Sequence, residues 1–556
     1  MTPGSPVTPP LRRRTAGILA VVALVTAVVL AAGSIGGLSL WPGSSPVASP
    51  VGGTAGGSPV TVAAPPTPTV TPAPTPFPTP TPVPLVDIAV VPVADFRTPY
   101  SGSAFGDVEA VLAGTSDRYD ALELIERDAD AILDALGMDP PAAPERLVLA
   151  PDMATLSADL ASSRRRLAFV RAEEVWAGVR ALTWGRQSLF GVDRVGSLAA
   201  WPLVIRVPEA AAPATPAYDP AEAWTLVAGG DILLDRGVAR TVKVEGRGVD
   251  FPFDGGTAAI TSRYCCSSFG WVLPRTSRTG NAGMMRSLLQ GADLSIANFE
   301  NPAPNNFRYH TSGTVFTADP ALIDGLVNAG LDFVSLANNH IRDAGAQGVI
   351  QTIDNLDARG LAHGGAGRTV ADAHRPVLLD ARVATVAILA YDTIARGYAA
   401  GPDRVGSAML TGDAVRADVA RAREEGADVV IVFPHWGAEY RATPLGSQRT
   451  LAHAAIDAGA DLVIGNHAHW AAAVEVYKER PIWYALGNFV FDQTWSEPTM
   501  EGITLELTFV DADLVQARMR PHIILDRSQP NFLDPARDGA IVMDQVFGAS
   551  EGLLGW

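Results

Sequence analysis

Asp461-Leu462-Val463-Ile464-Gly465-Asn466-His467-Ala468-His469 sets a short apolar run against a glycine and a His-x-His pair. The run has the length of a buried strand, and the glycine marks its end. Both imidazoles therefore fall on a loop just past a strand. The same pattern recurs on either side of it. Strand-like runs occupy 225–228, 293–297, 332–336, 384–390, 428–433 and 482–486. Amphipathic helical patterns fill 319–329, 345–359, 412–425 and 447–459, and Gly330, Gly426 and Gly459 stand at or just past helix ends. Strand–helix alternation predicts a layered α/β fold. Two further β-like runs in 502–526 are expected to pair with the final strands as an antiparallel edge.

Six of these strand exits carry acids, amides or imidazoles. They are Gly230-Asp231, Asn298-Phe299-Glu300-Asn301, Asn338-Asn339-His340, His435-Trp436-Gly437-Ala438-Glu439-Tyr440, the His467/His469 loop, and Gly487-Asn488-Phe489. In open α/β sheets ligands bind beyond the carboxyl ends of strands. One sheet edge should then gather Asp231, Glu300, His340, His435, His467 and His469. Imidazole mixed with carboxylate is a ligand set for divalent metal, with Mn, Zn and Fe all suited. Two bridged ions would activate water and steady a displacement at phosphorus. Each exit alone has a plainer reading: Gly487-Asn488 as a turn, Asn339-His340 as a loop cap, His435-Trp436 as packing. Repetition at strand ends carries the metal reading. His310, His363, His374, His453 and His522 are read as surface or core histidines without partners.

The remainder of the 556 residues is organised around this half. Arg12, Arg13 and Arg14 precede an uncharged apolar stretch, 16–32, that 35–41 extends. This predicts a basic tail and one transmembrane anchor over 1–41, with the bulk of the chain extracytoplasmic at the cell membrane. A cleaved signal peptide is the competing reading. Residues 42–85 form a Pro/Thr-rich stalk with no capacity for a core. A small α/β domain is expected over 86–212, with strands near 88–93, 147–150 and 203–207 and helices at 118–136, 153–163 and 171–182. It resembles part of a periplasmic solute-binding fold and marks no site. The main domain follows at 219–526, with an insertion at 255–282, and 527–556 reads as a tail. The formal charge of −17 excludes a nucleic-acid partner, which needs a basic face. It is also awkward for holding a polyanion unless Arg236, Arg275, Arg278 and Arg286 offset it locally. The only cysteines, Cys265 and Cys266, exclude a thiolate zinc site and are read as free thiols.

The ordered blocks Gly230-Asp231…Arg236, Asn298-x-Glu300, Ala337-Asn338-Asn339-His340-x-x-Asp343-x-Gly345, His435-Trp436-Gly437-x-Glu439-Tyr440, Gly465-x-His467-x-His469 and Tyr484-x-Leu486-Gly487-Asn488-Phe489 together resemble the CapA family, also called PgsA. The resemblance implies a calcineurin-like metallophosphatase sandwich. It implies a membrane-anchored role in synthesis or export of poly-γ-glutamate capsule, with the polymer and other capsule-synthesis proteins as partners. It also implies that Asp231, Glu300, Asn339, His435, His467 and His469 hold metal, and that His340 protonates a leaving group. Arg236, Asn298, Asn338, Glu439 and Asn488 would line the substrate cleft. Two positions depart from the phosphatase pattern. Ile232-Leu233 follow Asp231 where Asp-x-His is usual, and Glu300 replaces a bridging Asp. The resemblance therefore leaves open a metal-dependent hydrolase of a phosphoester or cell-wall amide, and a non-catalytic polymer-binding scaffold.

Overall fold

Strand Ala223–Ile232 is buried along its whole length. Such a strand must be covered on both faces and flanked on both sides. It pairs in parallel with Leu294–Phe299 and, at its carboxyl end, with Asn488–Val490. On its other flank it pairs antiparallel with Glu501–Val510. The computed structural model describes residues 83–212 and 218–555. The expected anchor at 1–41 and nearly all of the stalk lie outside the described residues, as does 213–217 of the linker. Among the described residues no helix is long and apolar enough to cross a membrane.

The sheet built on Ala223–Ile232 runs in the order Leu273–Gly280, Thr257–Tyr264, Gln529–Phe532, Asp513–Leu525, Glu501–Val510, Ala223–Ile232, Leu294–Phe299, Phe333–Ser335, Ala362–Gly364. A second sheet runs Val377–Ala381, Ala384–Asp392, Val429–His435, Leu462–Ile464, Arg480–Trp483, Val474–Tyr477. Trp224, Leu226, Ile296 and Phe333 of the first sheet share one apolar core with Val386, Ile431, Phe433 and Trp483 of the second. The two sheets thus pack face to face. Helices Met284–Gly291, Ile323–Ala329 and Gly345–Asp357 cover the outer face of the first. Gly412–Glu424 and Gly446–Asp457 cover the outer face of the second. Removing a buried anchor such as Trp224, stacked 4.1 Å from Phe509, would cost ~3–5 kcal/mol.

The four helices expected in this half are present. Ile323–Ala329 ends on Gly330 at φ 88°, a left-handed position that glycine adopts without a Cβ clash. Two expectations for the C-terminal part are corrected. The strands within 501–525 meet the final strands through one antiparallel bridge, Gly487 to Gly502, but form no edge there. They enter the interior of the first sheet beside Ala223–Ile232, because Leu505, Leu507 and Phe509 must be covered on the core side. Residues 527–556 are not a mere tail either. Gln529–Phe532 is a strand, and helix Ala540–Ala549 buries Val542 and Val546 in the inter-sheet core. The stretch 255–282 holds a hairpin that extends the first sheet, with Cys265 and Cys266 at its turn bonded to each other rather than free.

Residues 85–208 build a separate sheet, Leu147–Ala150, Ala121–Ile125, Arg166–Arg171, Leu85–Asp95, Val179–Ala181, with Val204–Pro208 also on Leu85–Asp95. The helix expected over 118–136 is a strand, Ala121–Ile125, followed by helix Ala129–Leu136. No helix spans 171–182. Val175, Val179 and Leu182 reach the core from a turn and a short strand, which satisfies the same apolar spacing.

Candidate metal centre

Parallel pairing brings the strand exits to one edge. Asn298 and Asn488 are both register partners of Asp231, and His435 pairs with Asn466 just beyond the neighbouring strand. The backbone there is unusually constrained. A Cβ on Gly230 would stand 1.9 Å from the carbonyl oxygen of Gly487, so only glycine permits this approach. His467 and His469 both take positive φ, 91° and 57°, as do Tyr440 at 59° and Arg236 at 47°. Left-handed non-glycine residues cluster where a fold holds side chains for function.

Two groups of ligand-type atoms form, and they share one carboxylate. Glu300, His435 and His467 make one, and Asp231, Glu300 and His469 make the other, with the atoms of each group within 4.8 Å of one another. In the first, His435 Nε2 lies 2.7 Å from Asn339 Oδ1, 3.0 Å from His467 Nδ1 and 3.7 Å from Glu300 Oε1. In the second, His469 Nδ1 lies 2.9 Å from Asn488 Oδ1 and 3.3 Å from Asp231 Oδ2, and its Nε2 lies 3.8 Å from Glu300 Oε1. Asn298 Nδ2 donates to Asp231 Oδ1 at 2.7 Å and lies 3.1 Å from His435 Nδ1.

Glu300 decides what these groups can hold. It is fully buried, and among the described residues neither carboxylate oxygen has a hydrogen-bond partner. Burial, and then the negative charges of Asp231 and Glu439, push its carboxyl well above the usual range. Burial, and then His467, His469 and His340, hold His435 well below its ordinary value. Burial likewise takes His467 down to about 3. A buried carboxylate without donors costs several kcal/mol unless it is paired or ligates a cation. Carboxylate, amide and imidazole lone pairs converge here, and no donor compensates the Glu300 charge, so the residues present fit divalent metal.

His340 stands beside both groups. Its Nδ1 is 2.9 Å from Asp343 Oδ2 and its Nε2 is 3.9 Å from Glu300 Oε1. Asp343 also accepts from the backbone N–H of Phe316, whose ring packs on the imidazole. The carboxylate fixes the ring and leaves Nε2 facing the centre. Asn338 braces this loop, donating to the carbonyl of Phe299 and accepting from the backbone N–H of His340. Asn488 donates to the carbonyl of Thr499, which turns its Oδ1 toward His469.

Other residues singled out in the sequence lie around the centre or away from it. Arg236 is clasped by Asp492 and the carbonyl of Gly313, over the rings of Phe316 and Phe491. Glu439 is exposed on the rim. Arg278 and Arg286 pair with Asp526 and Asp254, and Arg275 lies over Tyr264. Leu233, which stands where the phosphatase pattern has its histidine, is buried with Phe316, Phe491 and Ile524, so that side of the Asp231 group is apolar. The five histidines read as partnerless all have partners: Asp235 for His310, Asp357 for His363, Asp418 for His374, Glu475 for His453, and Thr504 with the carbonyl of Asn488 for His522. Most of these partners are distant in sequence, which hid them. Asp343 was visible in its block, three residues after His340, but its role was not. An aromatic set, Tyr440, Trp470 and Trp495, packs beside His469 and was not foreseen.

Residues 225–493 match the family described as "Bacterial capsule synthesis protein PGA_cap". The "Capsule biosynthesis protein CapA" of Bacillus anthracis is 34% identical over 216 residues, 37% of this chain and 53% of that protein. The "PGA biosynthesis protein CapA" of Bacillus subtilis (strain 168) is 32% identical over 213 residues, 38% of this chain and 56% of that protein. The chain therefore spans about half the length of these relatives. Among solved structures, a 5'-nucleotidase precursor from Thermus thermophilus aligns with 59% of this chain and 59% of its own at 13% identity, with a TM-score of 0.31, too low to argue from. The CapA resemblance drawn from the sequence blocks is borne out over the matched span.

Proposed function

With residues 225–493 taken as a capsule-synthesis family domain, we propose that this protein is a metal-bearing, extracytoplasmic component of poly-γ-glutamate synthesis or export. In this reading the sandwich is of the metallophosphoesterase type and the stretch 1–41 anchors it in the cell membrane. One observation carries the proposal: Glu300 is buried, unpartnered and common to two ligand groups. Asp231 and His469 would hold one ion and Asn339, His435 and His467 the other, with Glu300 between them. Mn, Zn and Fe suit this donor set equally. The metal, when bound, supplies Lewis-acid charge and a more acidic bound water.

The chain's own residues do the rest. Asp343 orients His340, so that Nε2 faces the centre and can deliver a proton to a departing group. Asn298 and Asn488 hold Asp231 and His469 in place. The His340–Asp343 pair also favours a second reading, a hydrolase of a phosphoester or cell-wall amide, since a scaffold needs no proton donor. The full-length protein, supplied with Mn, Zn or Fe in turn, is to be tested on γ-linked polyglutamate, a chromogenic phosphodiester and peptidoglycan, each with and without chelator. Chelator-sensitive action on the polymer supports the first reading. Cleavage of the phosphodiester or peptidoglycan alone moves the assignment to the second, and polymer retention without turnover moves it to a scaffold. Metal-independent behaviour on every substrate sinks the proposal.

A further inference from the structure

A second buried polar cluster lies at the seam between the 85–208 sheet and the first large sheet. Arg518 and Arg520 project from strand Asp513–Leu525, on the same face as Gln516, whose side chain bonds both the backbone N–H and the carbonyl of Ala181. Next to Ala181, on the short strand Val179–Ala181, is Arg180. Arg180 is only 7% exposed, and among the described residues its side chain forms no hydrogen bond or ion pair; its Nε is buried without a partner. Arg518 is equally buried. Its one ion pair, to Glu506, is long at 3.4 Å, and its Nε too is unpartnered.

The charges facing this seam do not balance. Glu506 is buried beside these arginines, and it is already engaged by Arg520 at 2.7 Å, by Arg518 at 3.4 Å and by the backbone N–H of Val192. Asp193 reaches Arg520 only at 3.9 Å, from an exposed position. Three guanidiniums thus face one buried carboxylate and one rim carboxylate. Arginine does not shed its proton in a protein, so neutralisation, the usual escape of a buried base, is closed. Uncompensated buried charge of this kind is strongly unfavourable, and in a chain of net charge −17 a local positive excess is the exception.

We propose that Arg180, Arg518 and Arg520 form a binding site for a small oxyanion, of phosphate or carboxylate type, that ties the two sheets together. The guanidinium fork matches the paired oxygens of such a ligand. The site is separate from the metal centre and does not rest on its reading.

Inorganic phosphate is the probe. Full-length protein is melted in tens of millimolar phosphate and in sodium chloride of equal ionic strength, alongside Arg180→Gln. The expected result is a melting temperature about 2 °C or more higher in phosphate for the native sequence, with that gain lost in Arg180→Gln. General salting effects, and phosphate bound at Glu300, would raise both proteins alike. An equal gain in both, or none in either, overturns the proposal. Should Arg180→Gln fail to fold, Arg520→Gln takes its place. Equilibrium dialysis of radiolabelled phosphate against Glu300→Gln protein then gives an independent reading. One phosphate bound per chain supports the site, and none overturns it.

Discussion

The metal centre and the seam at Arg180 are both buried clusters, with opposite deficits. Around Glu300, ligand atoms converge and no donor reaches the carboxylate: its two oxygens, the Asn339 oxygen and imidazole nitrogens. Around Arg180, donors converge with too few acceptors. Elsewhere His310, His374 and His453 have carboxylate partners, while single atoms such as Glu501 Oε1 and Trp483 Nε1 are buried without one. Two features set these clusters apart: among the described residues Glu300 alone has both carboxylate oxygens buried without a partner, and Arg180 and Arg518 bring two unpartnered Nε atoms to one seam. In the two proposals a cation would complete one cluster and an anion the other, because the sign of the unpaired group sets the sign of what completes it.

The sharpest way to break this contrast is Glu300→Gln. It keeps the shape and removes the charge shared by both ligand groups. Metal affinity should fall more than about 100-fold, beyond the loss typical of a ligand's outer partners. Metal analysis after dialysis checks this, and metal retained at the native level would remove Glu300 from the centre.

The next largest effect separates proton delivery from metal holding. If the site is hydrolytic, His340→Ala should lower turnover by ~10²–10⁴-fold while metal content stays unchanged. Asp343→Asn should lower it less and alter the pH profile, since it loosens the ring without removing it. Loss of metal in His340→Ala would instead make that histidine a ligand.

A pH experiment sharpens the comparison from the side of the histidines. Burial holds His467 at about 3 and His435 well below its ordinary value. An unfolded chain takes up protons on both near pH 6.5. The unfolded state of metal-free protein therefore binds more protons as pH falls below about 6.5, and these two groups remove stability from there down toward pH 3. Glu300 acts oppositely: its raised carboxyl keeps a proton that the unfolded chain has lost, so its contribution declines as pH rises above about 4.3. Chelated protein should thus melt lower with falling pH in the acid range, and His467→Gln should flatten that slope. An unchanged slope would contradict the placement of His467.

The smallest expected effect concerns the bracing amide. Asn338→Ala strands the carbonyl of Phe299 and the N–H of His340. A loss of ~1–3 kcal/mol follows, with metal content preserved. Thermal melts alongside metal analysis distinguish this from a ligand's loss.

Much of the centre was legible because its chemistry is written locally. His435, His467, His469 and Asn488 each follow or end a strand whose apolar run is unmistakable, and parallel strands put their ends on one edge. What could not be read required tertiary knowledge. The partner of His310 is 75 residues away and that of His374 is 44. The run around Val175, Trp176 and Val179 has helical spacing but is folded as a turn and strand. The strands Glu501–Val510 and Asp513–Leu525 were visible as strands, yet only packing assigns them to the middle of the first sheet. The seam at Arg180 joins residues more than 300 positions apart, Ala181 to Gln516 among them, and leaves no sequence signature.

The most direct test is the metal stoichiometry of the full-length protein, measured after growth with Mn, Zn and Fe supplied and again for Glu300→Gln. Two ligand groups sharing Glu300 call for two ions per chain, lost together in the variant. Protein that binds no divalent metal, or a Glu300→Gln variant that keeps both ions, would contradict the account.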